Sequence, residues 1–171
     1  MENAEPYTAE RIMSDKKQLF AGLKEKIDAT MALGYDTERM LEAICTLLAN
    51  EVEYYDWVGF YLVTGNENEL VLGPFVGAPT EHVCIPFGKG ICGQAALVGE
   101  TVIIQDVTKV TNYLSCAPDV QSEIVVPIFS GDGKILGEID IDSHDVAPFS
   151  FEDKEFLEYV ARRLPEVAAL I

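Results

Sequence analysis

Apolar residues return every three or four positions along residues 8–32, at Ile12, Leu19, Leu23, Ile27 and Met31, with Lys and Glu between them. That period predicts an amphipathic helix. Gly34-Tyr35 ends it, and Asp36 or Thr37 can cap a second helix that carries Met40, Leu41, Ile44, Leu47 and Leu48. Cys45 lies on or beside the apolar face of that helix and reads as a small buried hydrophobe. The pattern then changes to short β-rich runs broken by turn residues. Strands are predicted over 57–63 and 69–76 with a turn at Gly65-Asn66, and Gly77-Ala78-Pro79 opens an irregular region. A short strand over 82–85 runs into Pro86-Phe87-Gly88-Lys89-Gly90. A short helix over 91–98 follows, with Gly99 as its C-cap. Residues 101–105 read as a strand and 106–119 as a polar loop or broken helix. Residues 123–129 and 134–142 form a hairpin around Gly131-Asp132-Gly133, with a two-residue loop expected. Ser150 with Asp153 three residues on resembles a capping box, and starts a final helix with Leu157, Val160, Leu164 and Val167 on one face. Pro165 falls inside that pattern as a kink. Helices, strands, a helical crossover, a hairpin and a last helix make an α+β domain: an antiparallel sheet with helices packed on it.

Composition narrows the possibilities. The chain has 171 residues and is 49% hydrophobic, enough for one real core. The acidic, polar start Met1-Glu2-Asn3-Ala4-Glu5 has no signal-peptide character, and the longest apolar run is far short of a membrane span. A cytoplasmic protein without membrane partners is expected. The net charge of −17, from 12 basic and 29 acidic residues, would repel a phosphate backbone, so no nucleic-acid partner is expected. Four cysteines in such a chain are reactive, metal-binding or buried thiols rather than a disulfide framework. With no Cys-x-x-Cys and only His82 and His144, no structural metal is expected. Gly88-Lys89-Gly90 lacks the spacing of a phosphate-binding loop, and no cofactor is read from it.

The chemistry concentrates in residues 84–142. In the second hairpin strand Ile139 and Ile141 alternate with Glu138, Asp140 and Asp142, so one face is apolar and the other acidic. In the first strand Ile124, Val126 and Ile128 face the core, which leaves Glu123 on the acidic side. Glu123 pairs with Asp140 or Asp142, and either register gathers the three acids at one end of the ribbon. Like charges opposite one another destabilise a sheet. Such acids face open water, bind a cation or share protons at raised pKa. Trp57 and Tyr61, four apart on one strand, share a face and wall a pocket or pack in the core. Cys92 follows Gly-Lys-Gly-Ile in the first turn of a helix, where free N–H groups favour a thiolate. Cys116 sits in a polar loop, and Cys84 at a strand end before Ile85-Pro86. Together these thiols allow one nucleophile and one or two resolving partners.

Ordered motifs carry a family resemblance over roughly residues 36–164. They are Trp57-Val-Gly-Phe-Tyr61, Leu70-Val-Leu-Gly-Pro-Phe75, Ile85-Pro-Phe-Gly-Lys-Gly-Ile-Cys92-Gly93, Ser115-Cys116, Ser122-Glu123-Ile-Val-Val-Pro127 and Gly137-Glu-Ile-Asp140-Ile-Asp142-Ser143. The chain resembles the GAF-domain free methionine-(R)-sulfoxide reductases. The resemblance implies a GAF domain over 36–171 behind a helical extension over 1–35, and a homodimer. It implies an oxidoreductase in which one cysteine attacks the sulfur of free methionine sulfoxide, becomes a sulfenic acid and releases methionine. A second cysteine then closes a disulfide that thioredoxin reduces. By position Cys116 matches the nucleophile and Cys92 a partner cysteine. Glu123, Asp140 and Asp142 match the acids that hold the substrate ammonium and protonate the sulfoxide oxygen, and Trp57 and Tyr61 match the wall around the S-methyl group. The family usually has a cysteine where this chain has His82, and often Arg where it has Cys84. Cys84 is therefore a displaced candidate for the recycling thiol, and His82 a candidate hydrogen-bonder. A GAF sensor of a small ligand or of thiol redox state, without turnover, is the alternative reading.

Overall fold

The structure, a computed structural model, describes residues 9–65, 68–111, 113 and 119–164. Two helices come first, α1 (Ala9–Met31) and α2 (Thr37–Glu51). Asp36 caps α2, its carboxylate accepting from the Arg39 N–H at 2.9 Å. Strands β1 (Trp57–Val63), β2 (Glu69–Val76) and β3 (Cys84–Pro86) precede α3 (Gly90–Val98). Then come β4 (Val102–Ile104), a 3₁₀ turn at Val107–Lys109, β5 (Ser122–Phe129), β6 (Ile135–Ser143) and α4 (Phe151–Arg163). Gly99 adopts the left-handed conformation that ends α3, and the Ser150/Asp153 capping box starts α4. Pro165, the expected kink, lies outside the described residues, as does Val167.

The six strands form one antiparallel sheet in the order β3-β2-β1-β6-β5-β4. Its two faces bury different chemistry. On one face Val58, Phe60, Leu62, Ile124, Val126, Ile128, Ile139 and Ile141 meet the apolar sides of α1, α2 and α4 in a single core. The first helix is part of that core: Phe20, Leu23 and Ile27 are buried, and the Phe20 ring stacks on Phe156 of α4 with centroids 4.6 Å apart. Lys16 of the same helix reaches the buried Asp153 carboxylate at 2.7 Å. Cys45 sits in this core as expected, fully buried, its thiol donating to the Pro74 carbonyl, and burial pushes its pKa up.

The β5–β6 hairpin closes differently from the two-residue loop expected of it. Ser130 N–H donates to the Lys134 carbonyl, and Lys134 N–H returns a bond to Ser130 Oγ. Gly131, Asp132 and Gly133 are thus enclosed as a three-residue turn, and the register slips between Ile128 and Phe129. The local reason is the hydroxyl of Ser130, which supplies an acceptor where a tighter turn would use backbone alone. With this bulge Glu123 faces Asp142, one of the two pairings allowed by the strand pattern.

Candidate functional site

The second face of the sheet holds the site, beneath α3. On β1 the residues turned to this side are Trp57, Gly59 and Tyr61; on β6 their cross-strand partners are Asp142, Asp140 and Glu138. On β5 the partners of the same three acids are Glu123, Val125 and Pro127. Period-two alternation therefore stacks four carboxyls on one surface: Glu123 and, in a row along β6, Glu138, Asp140 and Asp142. Each is 2% exposed or less, so the solvated acidic face that such a pattern usually means does not apply here. The lid over them is built from Ile91, Cys92, Ala95 and Ala96 of α3, packed with Trp57, Tyr61, Leu70, Ile85 and Val125.

Cys92 lies in the first turn of α3, 4% exposed. Its thiol donates to Glu123 Oε1 across 3.6 Å. Burial is the largest force on Glu123 and drives its pKa well up. The negative charges of Asp140, Asp142 and Glu138 push the same way, and the Cys92 hydrogen bond only partly opposes them. Glu138 is driven well up for the same first reason, with Asp140 next. The physical outcome is a group of carboxyls that cannot all ionise together. Glu123 and Glu138 are thereby biased towards the protonated form beside a thiol.

The aromatic wall is held rigidly. The Trp57 and Tyr61 rings lie 6.4 Å apart and 27° from parallel, and Phe75 of β2 also stacks on Trp57, with centroids 5.4 Å apart. Trp57 Nε1–H donates to the Ala78 carbonyl at 3.0 Å, and Tyr61 O–H to the His82 carbonyl at 2.8 Å. Both polar edges thus tie down the loop between β2 and β3. Gly59 makes room for the indole, because a Cβ there would overlap the far edge of the Trp57 ring. The wall carries no charge, faces four acids, and is matched to an apolar group attached to a cationic or polar one.

The structure brings together Trp57, Tyr61, Cys92, Glu123, Asp140 and Asp142. Cys84 stands apart. It is exposed on the edge strand β3, and its neighbour Ile85 is the residue buried under α3, so strand alternation turns Cys84 away from that layer. Cys116 lies outside the described residues; Tyr113, just before it, packs partly against the same aromatic layer. His82 contributes its backbone: its carbonyl accepts from Tyr61 and its N–H donates to Thr80. Glu138 belongs to the acid row although the sequence reading did not count it among the site residues. The alternation Glu138-Ile-Asp140-Ile-Asp142 was the signal that could have found it. Phe75 had no such signal, because its role depends on how β2 pairs with Gly59.

Known proteins share this fold. The family profile for the GAF domain matches residues 36–164. A free methionine-R-sulfoxide reductase of Saccharomyces cerevisiae is 50% identical over 108 residues, 63% of this chain and 59% of the yeast protein, so that match spans less than two thirds of the relative. The Escherichia coli protein of the same name is 33% identical over 155 residues, 91% of this chain and 92% of that one. Among solved structures, the free methionine-R-sulfoxide reductase of Neisseria meningitidis in complex with its substrate superposes with a TM-score of 0.85 at 36% identity, covering 98% of this chain and 96% of that chain.

Proposed function

The chain belongs to the GAF domain family, and from that premise we propose that it reduces free L-methionine-(R)-sulfoxide to methionine. One observation carries the reading: a buried thiol, Cys92, hydrogen-bonded to a carboxyl of raised pKa in the layer it shares with Trp57 and Tyr61. A sulfoxide is a poor electrophile until its oxygen is protonated. A carboxylic acid that keeps its proton at neutral pH meets that need. The same acid row, once it has given up a proton, is the partner for the ammonium group of a free amino acid. The uncharged aromatic wall fits the S-methyl group.

In this reading a cysteine thiolate attacks the sulfoxide sulfur while an acid of the row delivers a proton to the oxygen. The oxygen passes to the cysteine as a sulfenic acid, and methionine leaves with its sulfur reduced. A second thiol then attacks the sulfenic sulfur, water departs and a disulfide forms. A dithiol reductant returns both cysteines to the thiol state. The resemblance assigns the nucleophile to Cys116 and the reductant to thioredoxin. Cys92 is the resolving thiol, and Cys84, on the outer edge, would serve only after the β3 edge moved. Glu123, Asp140 and Asp142 bind and protonate the substrate. The setting is the cytoplasm, in line with the composition, and the assembly a homodimer, as the resemblance implies.

The deciding experiment measures methionine formed from free L-methionine-(R)-sulfoxide by the reduced protein, with dithiothreitol or thioredoxin, beside a Cys116→Ser control. Turnover by the wild type that is lost in the control supports the reductase. Folded, reduced protein that binds the sulfoxide but produces no methionine under either reductant would overturn it in favour of a ligand sensor.

A further inference from the structure

The acid row beneath α3 has a second use that the reductase reading does not require. Cys92, Glu123 and Asp140 each present one donor atom, and the three atoms lie within 4.8 Å of one another, all on buried residues. The Cys92 sulfur and Glu123 Oε1 are 3.6 Å apart. Zinc bonds thiolate sulfur at about 2.3 Å and carboxylate oxygen at about 2.0–2.2 Å, so a tetrahedral ion would hold those two atoms roughly 3.5 Å apart. A second observation comes from the acid beside them. Glu138 is fully buried one alternation from Asp140 on the same face; no donor among the described residues lies within hydrogen-bond distance of its oxygens, and the Cys92 thiol is the group that partly offsets its raised pKa. Evolving such an acid row in an apolar layer is costly unless positive charge, protons or metal, enters it.

We propose that Cys92, Glu123 and Asp140 form a binding site for a thiophilic divalent cation of the zinc class, and that its occupancy reversibly shuts the site down. The donor set selects the ion. One thiolate and two carboxylates, the donors among the described residues, suit zinc or cobalt, whereas magnesium and calcium require six or more oxygens. Binding is an exchange: the metal enters, and the Cys92 thiol proton and any proton held by Glu123 leave to solvent. No electrons move. Glu138 and Asp142 remain as the flanking acids that balance the charge. A metal held there occupies the resolving thiol and the proton-donating acid at once, and sits where the substrate ammonium is proposed to bind. The metal site stands on geometry alone; its inhibitory effect rests on the reductase reading.

The test separates the two. Chelator-stripped, fully reduced protein is titrated with cobalt(II), and the sulfur-to-cobalt charge-transfer absorption in the near ultraviolet is recorded without substrate. The expected result is a band saturating at one cobalt per chain, retained in Cys84→Ser, lost in Cys92→Ser and abolished by added zinc. No band in the wild type, or a band that survives Cys92→Ser and disappears in Cys84→Ser, overturns the site. If Cys92→Ser loses its far-ultraviolet circular dichroism, Glu123→Gln replaces it, and unchanged cobalt affinity in that variant overturns the assignment. In a separate arm, zinc is added to the methionine sulfoxide assay. Turnover should fall in step with metal occupancy and return on addition of chelator. Undiminished turnover at full occupancy overturns the inhibition while leaving the metal site established.

Discussion

Glu123 stands directly opposite Asp142 across the β5–β6 ladder, and both carboxyls are buried. Two like charges in that position would oppose the strand pairing on which the sheet depends. The conflict is resolved by protonation, for burial and neighbouring acids hold Glu123 well above the usual carboxylate range. The stored proton is the feature from which the proposed chemistry follows.

If that proton goes to the sulfoxide oxygen, Glu123→Gln or Asp142→Asn should lower kcat by about 10²–10⁴-fold, the usual contribution of a positioned acid. The fold should persist, since an amide is close in shape to a protonated carboxyl. Steady-state kinetics beside circular dichroism checks this, and near-normal turnover in both variants removes the role.

Glu138 makes a prediction about stability rather than rate. Its folded pKa is raised by burial, above about 4.3 in the unfolded chain. Below the unfolded value both states hold the proton and the group costs nothing. Between the two values the unfolded chain has released a proton that the native state still binds, so stability falls as pH rises. Glu138→Gln should therefore raise the thermal midpoint near pH 8, with the advantage fading towards pH 4. An advantage that grew on acidification would contradict the assigned cause.

The aromatic wall is sensitive to one methyl group. Gly59→Ala would push its Cβ into the Trp57 indole and against the Cβ of Phe75. Overpacking of this kind costs about 1–3 kcal/mol. A displaced indole should weaken substrate binding, raising KM roughly tenfold for about 1.4 kcal/mol lost, with kcat less affected. Unchanged KM would show that the indole does not line the substrate.

The first helix is structural. Phe20→Ala removes a buried ring stacked on Phe156, a change that costs about 3–5 kcal/mol in a packed core. Chemical denaturation should show the loss at the cooperative transition of the whole domain. A separate early transition for the helix would mean that it is a detachable extension.

Much of this protein was determined by sequence alone, because the deciding signals are local. Helical spacing with a cap at Asp36 or Thr37 located α2, and Ser150 with Asp153 located the start of α4. Alternation in Glu138-Ile-Asp140-Ile-Asp142 separated an acidic from an apolar face before any strand was paired. The motifs around Cys92 and Glu123 pointed to one family. What tertiary structure decided was burial and neighbourhood. An acidic strand face is ordinarily wet; here α3 and the Trp57 wall close over it, and closure is what raises the pKa of Glu123 and Glu138. The same packing drew Glu138 and Phe75 into the site and placed Phe20 in the core. It also put Ile85 rather than Cys84 beneath α3. Spacing along a chain says which residues share a face, but desolvation depends on what other segments cover that face. That covering gathered four acidic side chains beside a thiol and pushed the pKa of Glu123 and Glu138 upwards.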